Sequence, residues 1–226
     1  MKQKVSVPFM LLGILFNVCL IAANLLETKV IVLGNLVVTA GLLVFPVSYI
    51  INDCIAEVWG FRKMRLVIWT GFIMNFFVVL LGSAAVALPA APFWEGEEHF
   101  NFIFGLAPRI VVASLSAFLT GSFLNAYVMS RMKQKSGGKH FSLRAIVSTL
   151  IGETGDSLIF FPIAFGGIIA WPELLTMIFI QIALKSLYEV IVLPFTVRIV
   201  RKIKNIDGSD VYDEDISYNI LRIGDL

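Results

Sequence analysis

The sequence predicts an all-α polytopic membrane protein with six transmembrane helices and both termini in the cytoplasm. Three observations carry this. Hydrophobic residues make up 58% of the 226 and charged residues only 15%, where a soluble domain carries about 25% charge. The apolar residues fall in runs of about 20, the length a helix needs to cross a bilayer. The basic residues also segregate. Of 18 Lys and Arg, only Lys29, Arg109 and Lys185 fall outside the side shared by the two termini, leaving 15, whereas Glu95, Glu97 and Glu98 sit in an opposite loop. The positive-inside rule makes that basic side cytoplasmic.

Span one runs from about Val7 to Leu26, behind Lys2 and Lys4. It is too long for the apolar region of a signal peptide. Gly34-Asn35 reads as a short turn into span two, about Leu36 to Ala56, which Pro46 should bend by removing a backbone donor. Span three covers about Leu66 to Leu88. The following loop carries Phe93, Trp94, Phe100, Phe102 and Phe104, which suits an interfacial segment at headgroup level. Span four runs from about Ile110 to Met129, followed by the basic, glycine-broken loop RMKQKSGGKHFSLR. Span five contains GETGDSLIFFP and ends near Ile169. Span six runs from about Leu174 to Val197. Residues 1–204 form one transmembrane domain, and 205–226 read as a polar cytoplasmic tail, at the surface or disordered. Spans one to three and four to six are a candidate 3+3 inverted repeat, since an odd number of crossings reverses the second half.

The polar residues inside the spans are the functional signal. A charge at bilayer depth costs roughly 2.5–3.5 kcal/mol on insertion scales and normally faces a partner or a water-filled cavity. Glu153 and Asp156, beside Ser157, lie one turn apart on one face of span five. Gln181, Lys185 and Glu189 recur every four residues in span six, a polar stripe about 12 Å long. Three acids facing one mid-membrane cation exceed what a helix clamp needs, so a binding cavity is expected there. Asn24, Asn75 and Arg109, near the outer end, are further pocket candidates; the asparagines serve equally as interhelical hydrogen bonds. Asn52, Asp53 and Glu57 sit at the inner boundary and read as a gate or a latch.

Enzyme chemistry finds no support. ETGD departs from the GxGD of intramembrane aspartyl proteases at Glu153, and Tyr212-Asp213, the nearest match to their second motif, falls in the tail. There is no HExxH or Walker loop, and His99 and His140 lie in loops on opposite sides. Cys19 and Cys54 lack metal-ligand spacing and serve as small apolar fillers. No cofactor, metal or nucleic acid is expected.

From about Asn24 to Arg201 the chain resembles the queuosine-precursor transporter family. The residues that carry this are NDCIAEVWGFRKMR after span two, Arg109 followed by Ala113-Ser114, and GETGDSLIFFP in span five. The resemblance implies import across the bacterial inner (plasma) membrane of 7-deazaguanine bases (preQ0, preQ1 or queuine) used in tRNA modification. A guanine-like edge offers two adjacent donors, which Glu153 or Asp156 could accept in bidentate fashion, and Lys185, Gln181 or an asparagine could donate to its O6. The alternative is a substrate-binding module of the vitamin-uptake S-component kind, which needs an ATP-driven partner. A homodimer is a further open expectation, and lipid is the surrounding partner.

Overall fold

The computed structural model describes residues 6–33, 36–105, 108–214 and 216–222. Helix accounts for most of the described residues. Among the described residues, five helices are long and apolar enough to cross a membrane. These are α1 (Val7–Leu26), α2 (Phe45–Val86), α4 (Pro108–Ser136), α5 (Phe141–Phe165) and α6 (Trp171–Asp207), with a short α3 (Glu97–Phe104) between α2 and α4. Ser6 caps α1 by accepting from Phe9 N at 3.3 Å, with Pro8 in the first turn, where its missing N–H costs nothing.

The expected second span is the main departure. Its first residues are not helical: β1 (Val30–Leu33) and β2 (Leu36–Thr39) pair antiparallel, with Val30 opposite Thr39 and Leu33 opposite Leu36. The stretch is rich in Val and Ile, which lose side-chain freedom in a helix and favour a strand. Gly34 and Asn35, read as a turn, lie outside the described residues. After a single 3-10 turn (Ala40–Leu43), α2 begins at Phe45. Pro46 therefore starts a helix in its first turn rather than bending one.

At 42 residues, an unbroken α2 would run about 63 Å, twice the thickness of a hydrocarbon core. Gly60 breaks it, with φ 80° and ψ 173°, a conformation open to glycine and strained for other residues. Two arms result, 45–59 and 61–86. The break frees backbone groups that a buried site must satisfy. The tail does so: Val211 N donates to Val58 O at 3.1 Å, and the Asp213 carboxylate accepts from Phe61 N at 3.1 and 2.9 Å. A residue far along the chain thus acts as N-cap to the second arm.

The tail does not hang free. Asp213 is 5% exposed and also accepts from Ser130 Oγ. Arg65 Nη1 donates to Ser217 O and Asn219 O at 3.2 and 2.7 Å, and Trp69 Nε1 donates to Ile220 O at 2.8 Å. Asp210 accepts from Lys133 Nζ at 2.5 Å and Lys204 Nζ at 2.8 Å. The basic stretch RMKQKSGGKHFSLR, read as a glycine-broken loop, is mostly helix: α4 runs on to Ser136 and α5 starts at Phe141. That leaves residues 137–140 as the turn, three of them (Gly137, Gly138 and His140) at positive φ. α5 ends at Phe165, not near Ile169, where Gly166 N donates to Pro162 O at 3.0 Å.

The core joins α1, α2, α4, α5 and α6 through residues such as Phe16, Ile55, Met64, Phe118 and Ala145. α4 and α5 touch backbone to backbone. A Cβ on Gly121 would lie 2.9 Å from Gly152 O, and one on Gly152 would lie 2.9 Å from Gly121 O. Small residues allow such close helix crossings in membranes. Tyr49 of α2 fills the groove above this crossing and would collide with either Cβ.

Two outcomes follow from the docked tail. Asp213→Ala removes the cap on the second arm of α2 and should lower stability by about 1–2 kcal/mol, read as a drop in melting temperature in detergent. Burial works against ionisation of Asp210, but hydrogen bonds from Lys133 and Lys204 hold its carboxyl below the usual range. Its contribution is therefore complete above the unfolded carboxyl pKa of about 3.9 and lost as pH falls through the lower folded value. Limited proteolysis should accordingly find the tail protected at neutral pH and released in strong acid, and Asp210→Asn should weaken the neutral-pH protection.

Candidate functional site

The acids predicted within the spans, with Lys185, meet in one column through the bundle. α2 presents Phe45, Tyr49, Asp53 and Glu57 at every fourth position, one helix face. α6 opposes it with Lys185 and Glu189, and α5 supplies Ser148, Thr149, Glu153 and Asp156. The Gly121–Gly152 crossing holds this face of α5 against α4 and Tyr49.

The upper tier is a triad. Lys185 Nζ lies 3.0 Å from Glu153 Oε2 and 3.6 Å from Asp156 Oδ2. The same ammonium sits 3.9 Å from the centroid of the Phe45 ring, a cation–π contact strengthened by desolvation. All three charged residues are buried, Glu153 at 0% exposure. One ammonium faces two carboxyl groups, so the tier carries surplus acceptor capacity. Among the described residues, Glu153 Oε1 has no hydrogen-bond donor and the buried Ser157 Oγ no partner.

A cavity of about 40 Å³ opens beside this triad. Asn24 of α1, Glu27 just past its end, Phe45, Ser114, Phe160, Phe161, Asp156, Gln181 and Lys185 line it. Glu27 packs against Gly41, so the 3-10 turn after the hairpin closes one end. This volume holds a few waters; a planar bicyclic base needs the walls to part. Aromatic faces, carboxylates and an ammonium together suit a flat ligand with donors on one edge and an acceptor on the next.

One turn beyond, Asp53 and Glu189 are neighbours, both essentially unexposed. Ser148 Oγ lies 3.1 Å from Asp53 Oδ1. At the basic end, Glu57 receives Arg144 Nη1 at 2.5 Å and Lys204 Nζ at 2.6 Å, with Lys133 Nζ at 3.9 Å. This tier is a fully compensated ionic plug.

Not every candidate converges. Asn75 lines a second cavity with Asn24, Ile21, Leu25, Val78 and Phe104, away from the triad. Arg109 is exposed and donates to Ile163 O and, at 2.5 Å, to Gly166 O, closing the end of α5. Glu189 stands beside Asp53 and is not among the cavity walls. Asn52 donates to Ser122 O at 3.1 Å. Phe45, Tyr49, Glu27 and Arg144 were not singled out by the sequence, although the four-residue spacing of Phe45 and Tyr49 with Asp53 and Glu57 was there to be read.

The model of a family described as "Putative vitamin uptake transporter" matches residues 39–199. The chain is 27% identical over 149 residues to the "Probable queuosine precursor transporter" of Bacillus subtilis (strain 168), covering 66% of this chain and 65% of that protein. It is 28% identical over 156 residues to the "Queuosine precursor transporter" of Escherichia coli (strain K12), covering 67% of this chain and 66% of the relative. A third relative, the "Probable queuosine precursor transporter" of Haemophilus influenzae, is 28% identical over 131 residues, 56% of this chain and 52% of its own. The chain thus spans just under two thirds of the first two relatives' length and about half of the third. No solved structure matches this chain. With a family match that begins at the end of the hairpin and takes in the broken α2 and the buried acids of α2, α5 and α6, the chain belongs to this vitamin uptake transporter family.

Proposed function

We propose that the protein imports queuosine precursors, 7-deazaguanine bases, across the bacterial inner membrane, with six crossings and both termini in the cytoplasm. The two arms of α2 supply two of the crossings. The Lys- and Arg-rich end of the bundle then faces the cytoplasm, as the positive-inside rule favours. A 3+3 inverted repeat is consistent with an acid pair on α2 and another on α5, each on a proline-bearing helix.

The observation that carries the reading is the triad beside the cavity: two buried carboxyl groups against one ammonium. In the proposed complex, Glu153 or Asp156 accepts the N1–H and exocyclic amine of the base. Lys185 or Gln181 donates to O6, and Phe45, Phe160 or Phe161 stacks on the ring. Asn24 and Ser157 are the remaining polar contacts. Arg109 and Asn75 take no part, and Glu57 acts at the inner plug.

The test uses a bacterial host unable to make the precursor and lacking its own importer. Expressing this chain and feeding one base should restore queuosine in tRNA, and Glu153→Gln should abolish that restoration while the protein still reaches the membrane. Unchanged restoration by Glu153→Gln would sink the assignment. If only co-expression with an ATPase pair restores queuosine, the S-component reading replaces this one. Lys185→Met should strip the buried acids of their counter-ion and cost about 3–5 kcal/mol. Adding Glu153→Gln to Lys185→Met should recover part of that stability in thermal melts, though not uptake.

A further inference from the structure

Asp53 and Glu189 form a buried acid pair. Asp53 is 0% and Glu189 1% exposed, and among the described residues neither makes an ion pair with Lys or Arg. Two ionised carboxylates side by side in this setting repel each other and lack solvation, a combination that folded proteins relieve by binding a cation. Among the described residues, neither oxygen of Glu189 has a donor in hydrogen-bonding geometry; its neighbours include the Thr149 hydroxyl and the Asp53 carboxyl. A second carboxyl group can serve as that donor only when it carries a proton.

The surroundings point the same way. From α5, Ser148 Oγ donates to Asp53. From α4, the Asn125 amide reaches Thr149 Oγ1 at 3.4 Å and stands beside Asp53, while its own Oδ1, wholly buried, is unpartnered. On α2, Tyr49 lies one turn above Asp53, its buried hydroxyl also unpartnered; Cys54 adjoins Asp53, and Glu57 lies one turn below, held by Arg144 and Lys204. On α6, Lys185 lies one turn above Glu189 but is engaged by Glu153 and Asp156. A metal cation would need more oxygen ligands than this pocket gathers, and among the described residues no group of three or more His, Cys, Asp or Glu is arranged to hold one.

We propose that Asp53 and Glu189 together hold one proton, as a site separate from the cargo cavity, and that this proton crosses with the cargo. The coupling half of the proposal rests on the importer reading above; the proton site does not. Tyr49 lies within electrostatic reach of Asp53, Glu153 and Asp156, and Glu153 is coupled electrostatically to Glu189, so occupation of one tier alters the other. The pair binds the proton as one carboxylic acid hydrogen-bonded to one carboxylate, and gives it up when the bundle opens toward the basic end.

Two measurements on the full-length protein decide this. Infrared difference spectra of the purified protein should show the C=O stretch of a protonated carboxylic acid at neutral pH. Asp53→Asn gives Glu189 an amide donor in place of the shared proton, and Glu189→Gln does the reverse, so each should remove that band. A band unchanged in both variants, or absent from the parent protein, overturns the site. In proteoliposomes with the membrane potential clamped at zero, an outward-facing medium one pH unit more acidic should drive about tenfold accumulation of a 7-deazaguanine base at one proton per base. Asp53→Asn should lose that accumulation yet still exchange base at equal pH. Accumulation driven by sodium, or indifferent to pH, overturns the coupling. Failure of the parent protein to move any such base instead overturns the importer reading, and the infrared result still decides the proton site.

Discussion

Desolvation of carboxyl groups governs this architecture. Glu57, Asp53, Glu189, Glu153 and Asp156 are all buried along one line through an otherwise apolar bundle, and each needs a donor, a cation or a proton to stay there. Those partners come from different helices: Arg144 from α5, Lys133 from α4, Lys204 and Lys185 from α6. Satisfying the acids therefore forces α2, α4, α5 and α6 together more specifically than apolar contact could, because lipid competes for apolar surface on equal terms. Compensation is uneven along the line. Among the described residues three cations surround Glu57 at the basic end, none pairs with Asp53 and Glu189 in the middle, and one serves Glu153 and Asp156 beyond them.

Close backbone contact makes the column narrow. Gly121 and Gly152 let α4 and α5 meet without side chains between them, which leaves room for the Tyr49 ring and carries Glu153 to within 3.0 Å of Lys185. The small cavity follows from this packing. Phe45 belongs to both the wall and the charge network, with Lys185 on its face and Tyr49 5.7 Å away. Moving Phe45 would thus loosen the ammonium that rests on its ring, so a shift of this wall and a redistribution of charge are mechanically one event.

Much of this was legible from residue types alone. The apolar runs located α1 to within its first and last residues, and the i, i+3 and i, i+4 spacings put Glu153, Asp156 and Lys185 on facing surfaces. What escaped has a physical reason in each case. The run after Lys29 is as apolar as a transmembrane helix, and hydropathy does not distinguish a Val-rich hairpin from one. Gly60 lies between the expected ends of spans two and three, at Ala56 and Leu66, but residue types do not show that helix runs up to it on both sides and breaks at that one residue. The aspartates of the tail read as solvated because composition cannot reveal that Lys133, Lys204 and an uncapped helix end await them. Tyr49 was passed over because an aromatic in a span is usually packing; only its register with Asp53 set it apart.

The capping of α2 has a bearing on how the protein is made. The open end at Phe61 and the carboxylate that closes it are 152 residues apart in sequence. At about 5–20 residues per second of ribosomal synthesis, that interval is roughly 8–30 s. Throughout it the nascent bundle carries an unfinished joint between the two arms of α2. Insertion into the bilayer can proceed helix by helix, but the final shape is sealed only from the last segment backward. Premature stops or bulky fusions near the carboxyl end are thus expected to act on the oldest part of the molecule, and quality-control proteases have a window in which to find it.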